Sequence, residues 1–459
     1  MSTPTATPTD VIIVGGGITG LTAAYEARRR GLSVIVLEAA ARPGGLIATE
    51  HVNGFTIEAG PDSLLAQKAA GIELCEALGI ADRLQPTKPP GGAFVAKGHR
   101  LYALPSPSVL GLPATWKGLF GYNLLPLRAR ARLALEPWIG QARDGEDESV
   151  GSFFRRRFGR ATVDLIAQPL LGGIHAGDID RLSMQALFPR LLELEKIRGH
   201  VLTLSAPAAP KRVPFVAPRD GMGAIVQALA DTLDGAIVTD ARVSRIARTK
   251  GGWHLWYGSS VGEARAVLLA VPAYVAADLL DTIDAESARM CRDIPYASTA
   301  GVALAWPRAD IRHPLSGTGF VVARRHSDVR ITACTWVSSK WEHRAPDDAV
   351  LLRAFIGGVH DPGAVDLDDE TLVAVVRRDL ESILGITAPP SLTRIYRWRR
   401  ASVQHNVGQR ARVAAIETRL AAHPGLFVAG SGFRAVGIPD CIADARAAVE
   451  RIVLTRSES

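Results

Sequence analysis

Gly15, Gly17 and Gly20 stand at G-x-G-x-x-G spacing directly after the apolar run Val11-Ile-Ile-Val14. Glycines in this pattern do three mechanical jobs. The first allows a sharp backbone turn, the second allows close approach to a pyrophosphate, and the third lets the next helix pack tightly on the strand. Glu38 follows roughly 20 residues further on, where a carboxylate accepts hydrogen bonds from ribose hydroxyls. The chemistry these residues could do is dinucleotide binding. A tight turn with no ligand would use the same glycines, with Glu38 an ordinary acid at a strand end. The strand before, the helix after and the acid at the right distance favour the dinucleotide.

The elements that must position these residues are legible around them. Val11–Val14 has the β-branched composition of a buried parallel strand. Leu21, Ala24, Tyr25 and Ala27 recur at helical spacing up to Gly31, so the helix aims its amides and dipole at the phosphates. A second strand, Val34 to Leu37, delivers Glu38. Further on, a strand is expected from Phe55 and a helix over Ala69–Leu78, while the Pro- and Gly-rich stretch 86–127 predicts loops and short helices rather than sheet. Residues 115–200 read as mainly helical. The nucleotide core resumes near Arg219-Asp-Gly-Met-Gly223, with a helix over Ala224–Leu233 and strands around 237–243, 253–257 and 267–271. Residues 296–400 are strand-rich around a helix at Glu370–Leu384. A strand at 425–430 and a closing helix to about Leu454 return to complete the N-terminal unit. The fold class expected is α/β: a Rossmann-like domain, a mixed-sheet domain and a helical insertion, with discontinuous domains.

Composition bounds the partners. The chain has 459 residues, 47% of them hydrophobic, and 53 basic against 46 acidic residues give a net charge of +7. That surplus suits anionic small molecules or lipid and is too dispersed for nucleic acid. Cys75, Cys291, Cys334 and Cys441 lie far apart with no ligand-type spacing, so they read as reduced, mostly buried thiols of a cytoplasmic protein, and no metal site is expected. Met1–Thr9 lacks the features of a signal peptide, and the longest apolar run, 266–277, is interrupted by Pro272 and too short to span a membrane. Leu127–Ile139 and Phe153–Phe158 mix arginines with apolar residues. Such segments form either a solvated basic helix face or a peripheral contact with an anionic membrane. The acidic residues 144–148 read as a surface loop between them.

The continuation Glu38-Ala-Ala-Ala-Arg42-Pro-Gly-Gly45 with Thr49 resembles the E-x(3)-R-x-G-G-x(3)-T pattern of FAD-dependent amine oxidases, desaturases and porphyrinogen oxidases. Further stretches narrow the resemblance: Gly60-Pro-Asp-Ser63, Gly172-Gly-Ile-His-Ala-Gly-Asp-Ile-Asp-Arg-Leu-Ser183, Ile331-Thr-Ala-Cys-Thr-Trp336 and Val436-Gly-Ile-Pro-Asp-Cys-Ile442. From about residue 10 to 454 the chain looks like an FAD-dependent protoporphyrinogen or coproporphyrinogen oxidase of haem synthesis. The Ala-Cys-Thr-Trp segment is most similar to the soluble bacterial branch that acts on coproporphyrinogen.

The resemblance implies FAD as cofactor and a tetrapyrrole and molecular oxygen as reaction partners. It implies an FAD domain of 1–65, 212–290 and 400–459, a substrate domain of 66–89, 186–211 and 291–399, and an insertion of 90–185. Gly15, Gly16, Gly17, Ile18, Thr19, Gly20, Glu38, Ala39, Arg42, Gly44, Gly45 and Leu46 would hold the ADP half, with Val243 against the adenine. Gly60, Pro61, Asp62, Ser63, Trp398, Val436, Gly437 and Ile438 would surround the isoalloxazine, and the closing helix would aim its positive end there. Lys68 sits where the family places a cation near a substrate propionate, and His175 lies in the segment lining the cavity. No catalytic acid or base is evident; positioning and flavin chemistry suffice. Two departures bear on the substrate side. Ala59 stands where many members carry Arg, and Val403-Gln-His-Asn-Val-Gly-Gln409 replaces a Pro-Gln-Tyr…Gly-His stretch. An amine oxidase or desaturase, and a flavin-free scaffold of the same fold, are the rival readings. The aromatic cage of an amine oxidase is not identifiable, and the intact Arg42/Gly44/Gly45 motif opposes the scaffold.

Overall fold

The computed structural model describes residues 8–89, 91–141, 146–204 and 215–457. The domain limits expected at 90 and 211–212 therefore fall outside the described residues, as do most of the N-terminal tail and the first two residues of the acidic stretch 144–148.

One seven-stranded sheet builds the nucleotide end. Its order is Ile237–Val238, Val34–Leu37, Thr9–Val14, Ser260–Leu269, Gly252–Tyr257, Val243–Thr249, with Leu426–Val428 paired on the end of Ser260–Leu269. Thr9–Val14 lies parallel to both neighbours, and its last four residues are buried because helices cover both faces. Ile18–Arg29, Gly223–Thr232 and the long closing helix Ile438–Ser457 cover one face; Ala273–Leu280, Ala285–Arg292 and Gln409–Leu420 cover the other. The C-terminal return completes this sheet. The expected strand 237–243 is two strands, because the chain turns through Asp240 at a φ of 52° between Val238 and Val243.

A second seven-stranded sheet runs Leu392–Val403, Tyr296–Pro307, Ala349–Gly357, Ala333–Trp336, Gly319–Val322, Ala93–Lys97, Arg100–Ala103. It corrects one expectation. The stretch 86–127 was read as loops and short helices, yet Ala93–Lys97 pairs in parallel with Gly319–Val322 and Arg100–Ala103 completes a hairpin with it. Two short runs bounded by Pro and Gly look like loop in sequence; pairing with a distant strand makes them sheet. Helix Asp369–Leu384 backs this sheet, burying Leu372, Val376 and Leu380.

The insertion is a helical layer over the opposite face, cored by Leu133, Phe153, Phe154, Phe158, Leu165 and Ile166. The basic segment Phe153–Phe158 is not a solvated basic face. Arg157 is fully buried against Glu136 and Glu195, Arg156 bridges Glu148 and Glu195, and Arg155 pairs with Asp180. Those carboxylates lie 8 to 39 residues away, beyond the reach of a local helical pattern, so the run of three arginines shows charge without showing its partners. Among the described residues no helix is long and apolar enough to cross a membrane.

Candidate active site

The loop Gly15–Gly20 is made of backbone. Gly15 turns at a φ of 104°, and a Cβ there would sit 2.6 Å from the Ala270 carbonyl oxygen. Gly20 packs so closely that a Cβ would meet the Gly15 carbonyl oxygen at 1.9 Å. At Gly17, by contrast, a Cβ would have nothing within 4 Å, because it faces an open cavity. The first helical hydrogen bond runs from the Leu21 amide to the Gly17 carbonyl, so the amides of Ile18, Thr19 and Gly20 have no helical acceptor. Their dipole favours an anion in front of them.

The two glycine pairs meet in space. The Gly44 amide donates to the Gly16 carbonyl at 2.7 Å, and Gly17 and Gly44 form an isolated parallel bridge. Arg42 closes this second loop by donating to the carbonyls of Pro43, Gly45 and Ile47. No carboxylate partner neutralises it among the described residues. Glu38 accepts from the Gly16 amide at 2.6 Å and the Ala40 amide at 2.7 Å, which fixes its carboxylate beside the loop.

One cavity of about 1950 Å³ runs from this loop into the space between the second sheet and the insertion. Of the residues expected to touch the cofactor, Gly16 and Gly20 do not line it. Gly16 is packed on Glu38 and Gly20 on Gly15, so both act on the loop's shape. The others line it: Gly15, Gly17, Ile18, Thr19, Glu38, Ala39, Arg42, Gly44, Gly45, Leu46, Gly60, Pro61, Asp62, Ser63, Val243, Trp398, Val436, Gly437 and Ile438. The closing helix starts at Ile438, beside that wall.

The turn Gly60–Ser63 is held by the second sheet. Trp398 donates its indole N–H to the Ala59 carbonyl at 2.7 Å, and buried Arg353 donates to the carbonyls of Glu58 and Gly60 at 2.6 and 2.8 Å. A Cβ at Gly60 would collide with the Leu46 carbonyl at 1.9 Å. Lys340 reaches Asp62 at 2.8 Å. Burial alone would raise the Asp62 carboxyl, but Lys340 and Arg353 outweigh it and hold Asp62 below the usual carboxylate range. Behind the turn, Glu58 accepts from Thr49, the Met222 amide and Arg344. Burial raises its pKa against those partners. Thr49, the last letter of the cofactor pattern, therefore ties the two parts of the nucleotide domain together.

Sequence reasoning gave no role to Arg353, Lys340, Arg344 or Glu58. One signal was available for Arg353: a single arginine within the apolar strand Ala349–Gly357 demands a buried partner.

Lys68 and His175 both line the cavity. The Lys68 ammonium is held by both oxygens of Asp440, at 2.7 and 2.6 Å, so any substrate carboxylate competes with that pair. His175 packs edge-on to Phe188, and Gln404 donates to its carbonyl at 2.9 Å. The residue is half-buried in the cavity wall. Burial, then the nearby charges of His405 and Lys68, lowers its pKa to about 4. It is neutral near pH 7. The divergent segment 403–409 thus supports the His175 backbone through Gln404, while His405 is bound to the Ser431 carbonyl.

A profile for flavin containing amine oxidoreductases matches residues 18–453. The chain belongs to that family. It is 33% identical to coproporphyrinogen III oxidase of Bacillus subtilis, covering 96% of this chain and 97% of the relative, and 32% identical to that of Staphylococcus aureus, covering 96% and 98%. A chloroplastic protoporphyrinogen oxidase of Nicotiana tabacum is 27% identical over 94% of this chain and 83% of its own. Among solved structures, a candidate protoporphyrinogen oxidase from Exiguobacterium superposes with a TM-score of 0.87 at 33% identity, covering 98% of this chain and 99% of that one. Cyclohexylamine oxidase of Brevibacterium oxydans, at 16% identity and a TM-score of 0.71 over 98% and 100% of the two chains, shares the fold alone. The cofactor of this flavin family member is FAD, and the loop fits it: glycines whose side chains would fill the cradle, free helix amides, and an arginine without a carboxylate partner.

Proposed function

We propose that the protein oxidises a porphyrinogen, coproporphyrinogen III in first place and protoporphyrinogen IX as the alternative, to the aromatic porphyrin in haem biosynthesis. Molecular oxygen is the electron acceptor and hydrogen peroxide the by-product. The observation that carries this reading is full-length similarity to coproporphyrinogen III oxidases, joined to a single cavity that continues past the flavin cradle into a wide, largely apolar chamber. Bound FAD supplies a two-electron acceptor that oxygen can reoxidise.

In this reading the chain's own residues position and exclude. The sites proposed for the ADP half are the loop residues, Glu38 and Arg42, with Val243 at the adenine end. Gly60–Ser63, Trp398 and Val436–Ile438 form the proposed isoalloxazine cradle, held rigid by Arg353 and Lys340. Phe188, Leu187, Phe355 and neutral His175 give the chamber an apolar wall that excludes water and orients a macrocycle. No side chain is assigned as a general base, because aromatisation favours loss of the protons.

The test is porphyrin fluorescence in air from purified protein mixed with each porphyrinogen separately. Growth well above the autoxidation blank, with peroxide released, is expected, and faster growth with coproporphyrinogen. A yellow, FAD-loaded protein giving no growth would move the function to an amine oxidase or desaturase.

For the cell, the reading is a cytoplasmic enzyme that touches an anionic membrane surface through the insertion. Trp116, Phe120, Leu127, Leu135 and Trp138 are exposed around Leu127–Ala134, with Lys117 and Arg128 among them. Co-sedimentation with anionic but not neutral vesicles, lost in Leu127→Glu/Trp138→Glu, is expected; equal recovery in the supernatant would reject the contact. The insertion proposed here begins after Ala103, since the strands before it belong to the second sheet.

A further inference from the structure

In that reading the chamber holds an acidic macrocycle, and several of its cations are already engaged by carboxylates. Lys68 is held by Asp440, Arg399 by Asp366, and Arg434 by Asp444 and Glu417. Arg324 is held less closely, and Arg325 is its neighbour in sequence. They are consecutive on the short turn that follows strand Gly319–Val322, and both line the cavity. The carboxylate nearest Arg324 is Asp361, 3.7 Å away and beyond hydrogen-bond reach. Both Asp361 oxygens are taken by Arg330, at 3.0 and 2.8 Å. Arg325 reaches across to Asp164 of the insertion at 2.9 Å, yet its side chain stays 58% exposed. Two arginines consecutive in sequence thus line the chamber, and the carboxylate that Arg325 holds is exchangeable. The fork of a guanidinium matches a carboxylate through two parallel hydrogen bonds.

Their place fits the shape of the chamber. Strand Gly319–Val322 is three positions across the sheet from Tyr296–Pro307, which carries Thr299 and Gly301 at the flavin end. At 4.7–4.9 Å per strand that separation is roughly 14 Å. Ala333 and Phe355, on the two strands between them, and Val321 lie along the cavity wall. A broad apolar ligand with acidic arms would rest on this floor with its reacting edge at one end and an arm at the other.

We propose that Arg324 and Arg325 form a carboxylate-binding dyad for an acidic arm of the substrate, Arg324 offering a guanidinium with no carboxylate within hydrogen-bond reach among the described residues and Arg325 exchanging Asp164 for the ligand. This rests on the porphyrinogen reading. In the FAD-loaded enzyme, Arg324→Ala is expected to raise KM for coproporphyrinogen about tenfold, and Arg324→Ala/Arg325→Ala more, with kcat, flavin absorbance and Tm unchanged. Arg324→Lys recovers part of the loss. Arg289→Ala removes the same charge from an exposed surface helix and leaves KM unchanged. An unaltered KM in an active double variant overturns the dyad while the reaction stands. If the wild type forms no porphyrin, the reaction reading fails, and equilibrium binding of coproporphyrin III decides the dyad separately. Binding weakened tenfold or more by the double substitution supports it; equal or absent binding overturns it.

Discussion

The two ends of the cavity are built by opposite means. At the nucleotide end the site is backbone: glycines, helix amides and one acid, contributed by a stretch of some forty residues. At the substrate end it is side chains, brought together from the second sheet, the insertion and the closing helix. A backbone site must be written into the local sequence, because only glycine tolerates the required φ angles and close approaches. A side-chain site can be assembled from any segments the fold brings together. The first kind is recognisable from a motif and the second from geometry.

This contrast can be broken first at Gly17. Gly17→Asp points into open space, so the fold should survive with Tm within a few degrees while flavin is lost through clash and charge repulsion; a yellow, stoichiometric variant would reject the phosphate-loop assignment. Gly20→Ala at the same loop should in addition cost about 1–3 kcal/mol of stability, because its Cβ meets the backbone carbonyl of Gly15. Thermal melts and the ratio of flavin to protein absorbance separate the two.

Next comes the pair beneath the flavin turn. Lys340→Met leaves Asp62 without its ammonium, and after discounting for partial exposure the expected loss is about 2–3 kcal/mol. Chemical denaturation would measure it, and a loss below about 0.5 kcal/mol would mean Arg353 alone holds Asp62. A smaller effect is set by pH. His175 titrates near 4 in the folded chain against an ordinary 6.5, so the unfolded chain binds the extra proton between those values. Stability therefore falls as pH drops from about 6.5 to 4, and His175→Phe should flatten that part of the Tm–pH curve. A curve of the same slope in the variant would assign the effect elsewhere.

Much of the nucleotide end was legible in the sequence, because its strand, loop and acid lie within one βαβ unit. Trp398 and Gly60–Ser63 were legible through resemblance, and the structure adds the physical link, an indole hydrogen bond to the Ala59 carbonyl. The partners of Lys68, Arg157 and Asp62 were not legible. Asp440 is 372 residues from Lys68 and Lys340 is 278 from Asp62, and no local pattern encodes such pairings. The edge strands Ala93–Lys97 and Arg100–Ala103 escaped for a related reason: too short to declare themselves, they exist because Gly319–Val322 offers a template.

The late return of the chain to the first sheet bears on how the molecule is made. Strand Ser260–Leu269 leaves the ribosome long before Leu426–Val428, its parallel neighbour, and the closing helix that covers the same sheet. Throughout synthesis of the second sheet, one hydrogen-bonding edge and one apolar face of the nascent nucleotide domain stand open. Vectorial synthesis thus exposes an unfinished cofactor domain until Leu426–Val428 and the helix from Ile438 have emerged.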